Sequence, residues 1–527
     1  MVRIHDIKIR AGLFDFDLKG SLEAKLRLSP GALKGFRIAK ESIDARQKPV
    51  VYKVVSVDVD ADLPDSELIK RAKFEGFKAE PTPDESYTPV KCTKAFSKRP
   101  VVCGFGPCGM FAALILAEAG LEPIVLERGA AMDVRVKDVE EYWNGGKLNP
   151  SSNVQFGEGG AGTFSDGKLT TGKKDPAQIY VLETFADAGA DPSILYKQKP
   201  HIGTDVLRHV VVTIRKKIQF LGGEIRFNSQ LTDIIVNDGR VCGVVVNGEE
   251  RIDTDTVILG LGHSARDSFE MLYSRKLLIE QKPFSMGVRI EHKQADIDIA
   301  QYGRLHEYLG IGAAEYKLNC RVGDNRGVYT FCMCPGGQVV DSSSEEGAIV
   351  TNGMSYSARD GEYANSGLLC DVRTSDFGSD HPLAGMYFQE KYEKKAYEAG
   401  KGRVPKEKLA VFESDASVVK NCLPDFVYDS LLEALPILDR KLKGFNDPNS
   451  DIYGIESRSS SPIRIKRNAR GEALASDGSV IKGLYPAGEG AGYAGGIMSA
   501  ATDGIHMAEM AMTEDQFPPF QAERVNS

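Results

Sequence analysis

The chain has no run of roughly eighteen consecutive apolar residues, so its sequence offers no membrane-spanning helix. Its first residues, Met1-Val2-Arg3-Ile4-His5-Asp6, lack the apolar core of a secretory signal. Cysteine is sparse: nine residues are scattered over 527, an odd set that argues against a disulfide framework. Free thiols in a reducing compartment follow, and cytoplasmic residence is the expectation. There is no excess of positive charge. The formal net charge of -8 excludes a dominant nucleic-acid surface, though not a local one. No internal repeat or low-complexity tract occurs.

What is present is ordinary globular composition, 42% hydrophobic and 27% charged, in a chain long enough for about three domains. Residues 1–95 read as a separate α+β module. Alternation over 2–9 and 49–59 predicts strands, and 62–75 predicts a helix capped by Asp65 or Ser66. A linker with Pro81, Pro83 and Pro89 follows. From Val101 strands and helices alternate. A buried strand at 100–103 precedes a helix over 110–119 that stops at Gly120. Next come a strand at 122–126, a helix at 205–220, a strand at 224–235 with its hairpin partner at 239–246, and a strand at 256–261. The α/β signal returns at 483–510. Between 283 and 454 the pattern is strand-rich and less regular, which predicts an inserted domain. The expected division is 1–95, 96–282, 283–454 and 455–527, with the second and fourth segments forming one domain.

The segment Val102-Cys103-Gly104-Phe105-Gly106-Pro107-Cys108-Gly109 carries Gly-x-Gly-x-x-Gly between a predicted strand and a predicted helix. Gly104 allows the tight turn, Gly106 lets a pyrophosphate approach the backbone, and Gly109 lets helix pack on strand. Free N–H groups and the helix dipole favour the pyrophosphate at the helix N-terminus. Glu127, eighteen residues past Gly109, ends the next strand, where an acidic side chain accepts from ribose hydroxyls. The same carboxylate repels a 2′-phosphate. These residues alone leave NAD and FAD open.

Pro107 in the glycine turn and Glu127-Arg128-Gly129 after it resemble the FAD signature of the glutathione-reductase-like, two-dinucleotide-binding flavoprotein superfamily. Residues 255–262 (DTVILGLG) resemble its second motif. Residues 483–490 (GLYPAGEG) resemble its C-terminal motif, with Glu489 where Asp is usual. A closer resemblance is to a family of bacterial FAD-dependent dehydrogenases, the NAD(FAD)-utilizing dehydrogenases. It is carried by 157–168 (GEGGAGTFSDGK), 285–291 (SMGVRIE) and 331–337 (FCMCPGG). The resemblance implies an α/β fold: a Rossmann-type, three-layer ββα FAD-binding domain, an inserted β-rich α+β substrate domain, and the N-terminal α+β module. It implies FAD as cofactor and NAD(P)H as a transient donor. The residues it brings to FAD are Gly104, Gly106, Pro107, Gly109, Glu127, Arg128, Gly160, Gly162, Thr163, Ser165, Leu231, Gly260, Gly262, Gly488, Glu489, Gly495, Gly496 and Ile497.

By the same resemblance, 157–168 runs along the flavin ring, where side chains would clash, and Ser165 and Lys168 are its polar partners. The helix starting at Ile497 aims its N-terminus at the flavin, which favours negative charge on the reduced ring. No second Gly-x-Gly-x-x-Gly follows a later strand, so one FAD domain with a substrate domain is expected. The expected activity is an FAD-dependent oxidoreductase that passes hydride through flavin N5 to or from a small or lipid-like organic substrate. Candidate catalytic groups are His263, His292, Lys168 and Cys334; histidine suits proton transfer near neutral pH. Cys332-Met333-Cys334 invites a redox reading, but a spacing of two puts both on one side of a strand, where two buried packing residues compete with it. Two cysteines do not close a zinc site, and no metal is expected.

Two other functions compete. An RNA-modifying flavoprotein is suggested by Lys34, Arg37, Lys40, Arg46 and Lys48, but Asp44, Asp58, Asp60 and Asp62 interleave and follow, as on a solvated surface. The other is a non-enzymatic FAD-binding sensor.

Overall fold

The computed structural model describes residues 1–13, 16–172 and 174–513. The chain is a mixed α/β protein. Its middle holds a five-stranded parallel sheet in the order Leu484–Pro486, Val257–Leu259, Val101–Cys103, Ile124–Leu126, Glu224–Arg226. The three central strands are entirely apolar because both of their faces are covered. Val102, Val125 and Ile258 pack against the helices Pro107–Glu118, Ala177–Asp187, Thr204–Phe220 and Ile497–Met512. Val101, Cys103, Leu126 and Leu259 point the other way, onto an antiparallel meander of Leu231–Asn237, Arg240–Val246 and Glu250–Asp253. The period-two alternation of side chains produces this split.

Two expectations change here. The strand predicted over 224–235 is two strands in two sheets: Glu224–Arg226 extends the parallel sheet and Leu231–Asn237 opens the meander. The chain turns between them at Asn228, whose φ is +52. The first helix also begins earlier than its apolar pattern suggested, because Pro107 supplies a preset φ at the first turn.

The second unit is a six-stranded antiparallel sheet: Asn319–Val322, Arg326–Cys334, Tyr363–Val372, Phe284–Lys293, Asp451–Glu456, Lys406–Lys408. Phe284, Met286, Val288 and Ile290 enter a core with the helices Ala384–Ala399 and Asp425–Asp439. The alternate residues Ser285, Gly287, Arg289 and Glu291 take the opposite face. Position 454, the expected end of this unit, lies inside the strand Asp451–Glu456.

Residues 1–81 form a four-stranded sheet, Leu33–Gln47, Val50–Ala61, Val2–Arg10, Ala79–Pro81, with two helices. The basic stretch is therefore the long strand Leu33–Gln47. Its charges pair with the interleaved acids: Lys34 with Asp62 (2.5 Å), Arg37 with Asp58 (2.9 Å) and Arg46 with Asp44 (2.7 Å). The helix Asp65–Phe74 is not capped by Asp65 or Ser66; Pro64 takes the N-cap position, and Asp65 pairs with the Met1 amino group at 3.0 Å. The module docks on the parallel-sheet unit through Glu41, which exchanges backbone hydrogen bonds of 2.8 Å with Tyr196 and Gln198.

Candidate functional site

A cavity of about 600 Å³ lies where the parallel-sheet unit meets the second sheet. Three glycine-bearing segments build one wall. Gly104 has φ +94, and a Cβ there would stand 2.3 Å from the Gly260 carbonyl oxygen. The first and second motifs thus touch backbone to backbone, which only glycine permits. Gly160, at φ +64, would place a Cβ 2.8 Å from Gly106 Cα, so the loop 157–168 closes on the same turn. The helices Pro107–Glu118 and Ile497–Met512 both begin at the wall, with Gly106, Pro107, Gly496 and Ile497 lining it. Their N-terminal N–H groups favour negative charge there.

Glu127 is more committed than its spacing suggested. Its carboxylate accepts from the backbone N–H groups of Phe105 (2.8 Å), Gly129 (2.9 Å) and Gly157 (2.9 Å). Three of roughly four lone-pair positions are used, so Glu127 ties three loops together while still lining the cavity. Arg128 is clamped by Asp267 at 2.7 and 3.0 Å and lies over Phe156, 4.3 Å from the ring centre.

Gly162, Ser165, Lys168, Leu231, Gly260, Gly262, His263, Glu489 and Gly495 also line the cavity. Five expected site residues do not. Gly109 is tucked under the Gly104 carbonyl, and Gly488 faces the Cys108 side chain. Thr163 turns its hydroxyl to the Glu158 carbonyl at 3.3 Å. His292 is buried in the second core, where Nε2 donates to the Phe445 carbonyl at 2.8 Å. Cys334 is fully buried, whereas its neighbour Cys332 lines the cavity, as do Cys103 and Cys108. Ser165 serves its own loop, donating to the Gly162 carbonyl at 2.7 Å and accepting from Gly167 N–H at 3.0 Å. Lys168 Nζ donates to the Met333 carbonyl.

His263 does not titrate near neutrality. Burial, helped by Arg458 and Arg266, pushes it down to about 3. Its Nδ1 lies 2.9 Å from Ser264 Oγ.

The sequence reading missed the polar groups on the opposite wall. Arg458 follows the last strand of the second sheet and is held by Glu393, with Nε and Nη2 at 3.0 and 2.7 Å. Arg266 also donates to Glu393, at 3.0 Å. Glu456 pairs with Arg289, donated to by Nη2 at 3.1 Å; burial pushes this carboxyl up to about 7, with Arg289 working against it. The segment 285–291 and the run Ser457-Arg458-Ser459-Ser460-Ser461 were the available signals: charged or hydroxylated residues inside strand-rich sequence.

Glu489 carries the test of fit. Burial pushes its carboxyl up to about 7, it faces the cavity, and among the described residues no protein group hydrogen-bonds it. A half-buried acidic group facing the cavity suits a polar partner, which a polyol chain supplies. Together with the side-chain-free glycine wall and two helix N-termini, it suits an FAD-sized dinucleotide.

A family model described as "FAD-dependent protein, C-terminal domain-like" matches residues 283–459, and a domain of unknown function matches residues 1–60. An uncharacterized protein of Clostridium beijerinckii is 44% identical over 515 residues, covering 94% of this chain and 95% of its own length. The chain belongs to that protein's family, one of FAD-dependent proteins. FAD is the cofactor of this protein. Solved structures are more distant from this FAD-dependent protein. The 3-ketosteroid-delta4-(5alpha)-dehydrogenase of Rhodococcus jostii RHA1 is 14% identical, covers 81% of this chain and 100% of its own, and has a TM-score of 0.33. Glycine oxidase from Bacillus cereus ATCC 14579 is 11% identical, covers 80% and 99%, and has a TM-score of 0.33. The flavin-dependent brominase Bmp2 is 12% identical, covers 81% and 82%, and has a TM-score of 0.36. Similarity at this level carries no statement about the reaction. Among the described residues, no helix is long and apolar enough to cross a membrane.

Proposed function

We propose that this protein is an FAD-dependent oxidoreductase of the glutathione-reductase-like superfamily, acting on a small or lipid-like organic substrate. The observation that carries the reading is a single cavity shared by two different walls. One is glycine-rich and suited to a dinucleotide; the other, at the second sheet, is lined by Glu456, Arg458 and Cys332, with Asn352 from the adjoining two-stranded ribbon Gly337–Asp341/Thr351–Ser355. The proposed division is 1–95, an FAD-binding domain of Rossmann type from 96–282 and 455–527, and a substrate domain over 283–454 whose last strand runs on to Glu456. Bound FAD supplies hydride transfer, with NAD(P)H as the proposed donor.

The chain's own residues bind and manage charge. Arg458, fixed by Glu393, is a permanent cation facing the cavity and suits an electron-rich substrate oxygen. His263 stays neutral in its buried setting, so it accepts a hydrogen bond and does not act as a protonated acid. Glu456, held up near 7, replaces His292 as the group suited to exchange a proton near neutral pH. Lys168 joins the two walls through Met333.

Anaerobic addition of NADH or NADPH to the FAD-loaded protein tests the reading. Loss of the oxidised-flavin absorbance is the expected result. A band that survives both nicotinamides and a panel of organic hydride donors would point to the sensor function instead.

A further inference from the structure

We propose that Cys332 and Cys334 are a second redox centre, a dithiol that closes to a disulfide by passing two electrons to FAD in the adjoining cavity. The inference rests on FAD occupying that cavity. Cys332 lines it, and Cys334 lies fully buried behind. Both close the strand Arg326–Cys334, whose pairing with Tyr363–Val372 slips between Phe331 and Cys334. Cys332 itself has φ +42, a left-handed conformation uncommon for a side-chain-bearing residue. An extended run would hold the two Cα atoms about 6.6 Å apart, at the upper edge of the roughly 4.4–6.8 Å span a disulfide bridges. The slip and the left-handed residue break that extension at the position where bridging needs it.

Cys334 Sγ donates to the Cys332 carbonyl at 3.2 Å, which holds the second thiol against the first residue's backbone. Two cations reach the backbone of the pair, with Asp166 and Glu456 as the nearby acids. Arg289 Nη1 donates to the same carbonyl at 3.2 Å, and Lys168 bonds the carbonyl of Met333 between the two cysteines. The neighbouring Cys334 thiol, then Arg289 and Lys168, hold Cys332 below an ordinary thiol, with burial and Asp166 opposing. By contrast, burial alone pushes Cys103 up, and it is also the main effect raising Cys370 and Cys422. A thiolate-prone sulfur backed by a second thiol is the arrangement that disulfide exchange requires.

The step balances. Two S–H bonds break and one Sγ–Sγ bond forms. Two electrons and one proton reduce FAD, and the second proton leaves to solvent. In reverse, reduced FAD reopens the disulfide.

Anaerobic dithionite titration of the air-oxidised, FAD-loaded protein tests this, paired with thiol alkylation and peptide mass analysis before and after reduction. The wild type should take up about four electrons per FAD, two for the flavin and two for the disulfide. Cys332→Ser and Cys334→Ser should each take up about two. The wild-type peptide holding both cysteines should gain two alkyl groups only after reduction, a readout that stands even if a variant fails to fold. Uptake of about two electrons by the wild type, with both thiols already alkylated before reduction, overturns the proposal and leaves the FAD site intact. A protein with no flavin band and no FAD uptake overturns both.

Discussion

Gly106→Ala should separate cofactor binding from folding. Gly106 has φ -77, which any L-residue adopts, and an added Cβ would come no nearer than 3.6 Å to Gly160 Cα. The fold therefore has room for the methyl group, and the cost to stability should stay within about 0.5 kcal/mol. Yet the methyl would stand on the cavity wall at the start of the helix Pro107–Glu118, where backbone N–H groups are free to meet a phosphate. Displacing FAD from one charge-assisted hydrogen bond costs about 1.5–3 kcal/mol, or about 10- to 100-fold in affinity. Gly104→Ala is the contrasting control. Its φ of +94 and the 2.3 Å approach to the Gly260 carbonyl predict that the apoprotein itself loses stability. Flavin-fluorescence quenching during FAD titration measures the first effect, and thermal unfolding of both apoproteins measures the second. If Gly106→Ala binds FAD within twofold of wild type, the pyrophosphate does not sit at this turn and the reasoning fails.

His506 predicts a loss of stability in mild alkali. Burial opposes its protonation, but Asp175 and Glu509, at 2.8 and 3.3 Å, raise it to about 9. With an unfolded value of about 6.5, its contribution is complete below that pH and disappears as pH rises through about 9. The shift corresponds to about 3 kcal/mol; unfolding free energies at pH 6 and pH 10 should show it, and His506→Gln should flatten that window. Glu393→Gln should destabilise the protein by about 3–5 kcal/mol, because Arg266 and Arg458 lose the charge they share. A denaturant midpoint unchanged from wild type would refute that assignment.

The glycine turn was readable because strand, three glycines and helix follow one another locally, and most residues placed around it by motif line the cavity. What escaped depended on partners far along the chain. Arg458 gains its meaning from Glu393, sixty-five residues away, and His292 is claimed by a carbonyl 153 residues distant. Period-two logic put Cys332 and Cys334 on one side of a strand. A register slip and a left-handed cysteine, for which the residue type gives no signal, separated them into wall and interior. The basic stretch was legible as charge but not as a strand, because its neutralising acids lie partly on the next strand and beyond it.

The helix Ile497–Met512 lies so close to Pro107–Glu118 that a Cβ on Gly504 would stand 2.1 Å from the Cys108 carbonyl oxygen. The strand Leu484–Pro486 likewise completes the parallel sheet beside Val257–Leu259. The ribosome therefore makes the part of the cavity wall at Gly496 and Ile497 long after the part at Gly106 and Pro107. A nascent chain that already carries the glycine turn still presents an uncovered apolar helix face and an open cofactor cleft, a state prone to aggregation during synthesis. On the proposed reading, FAD gains both of its walls only once translation has passed this helix.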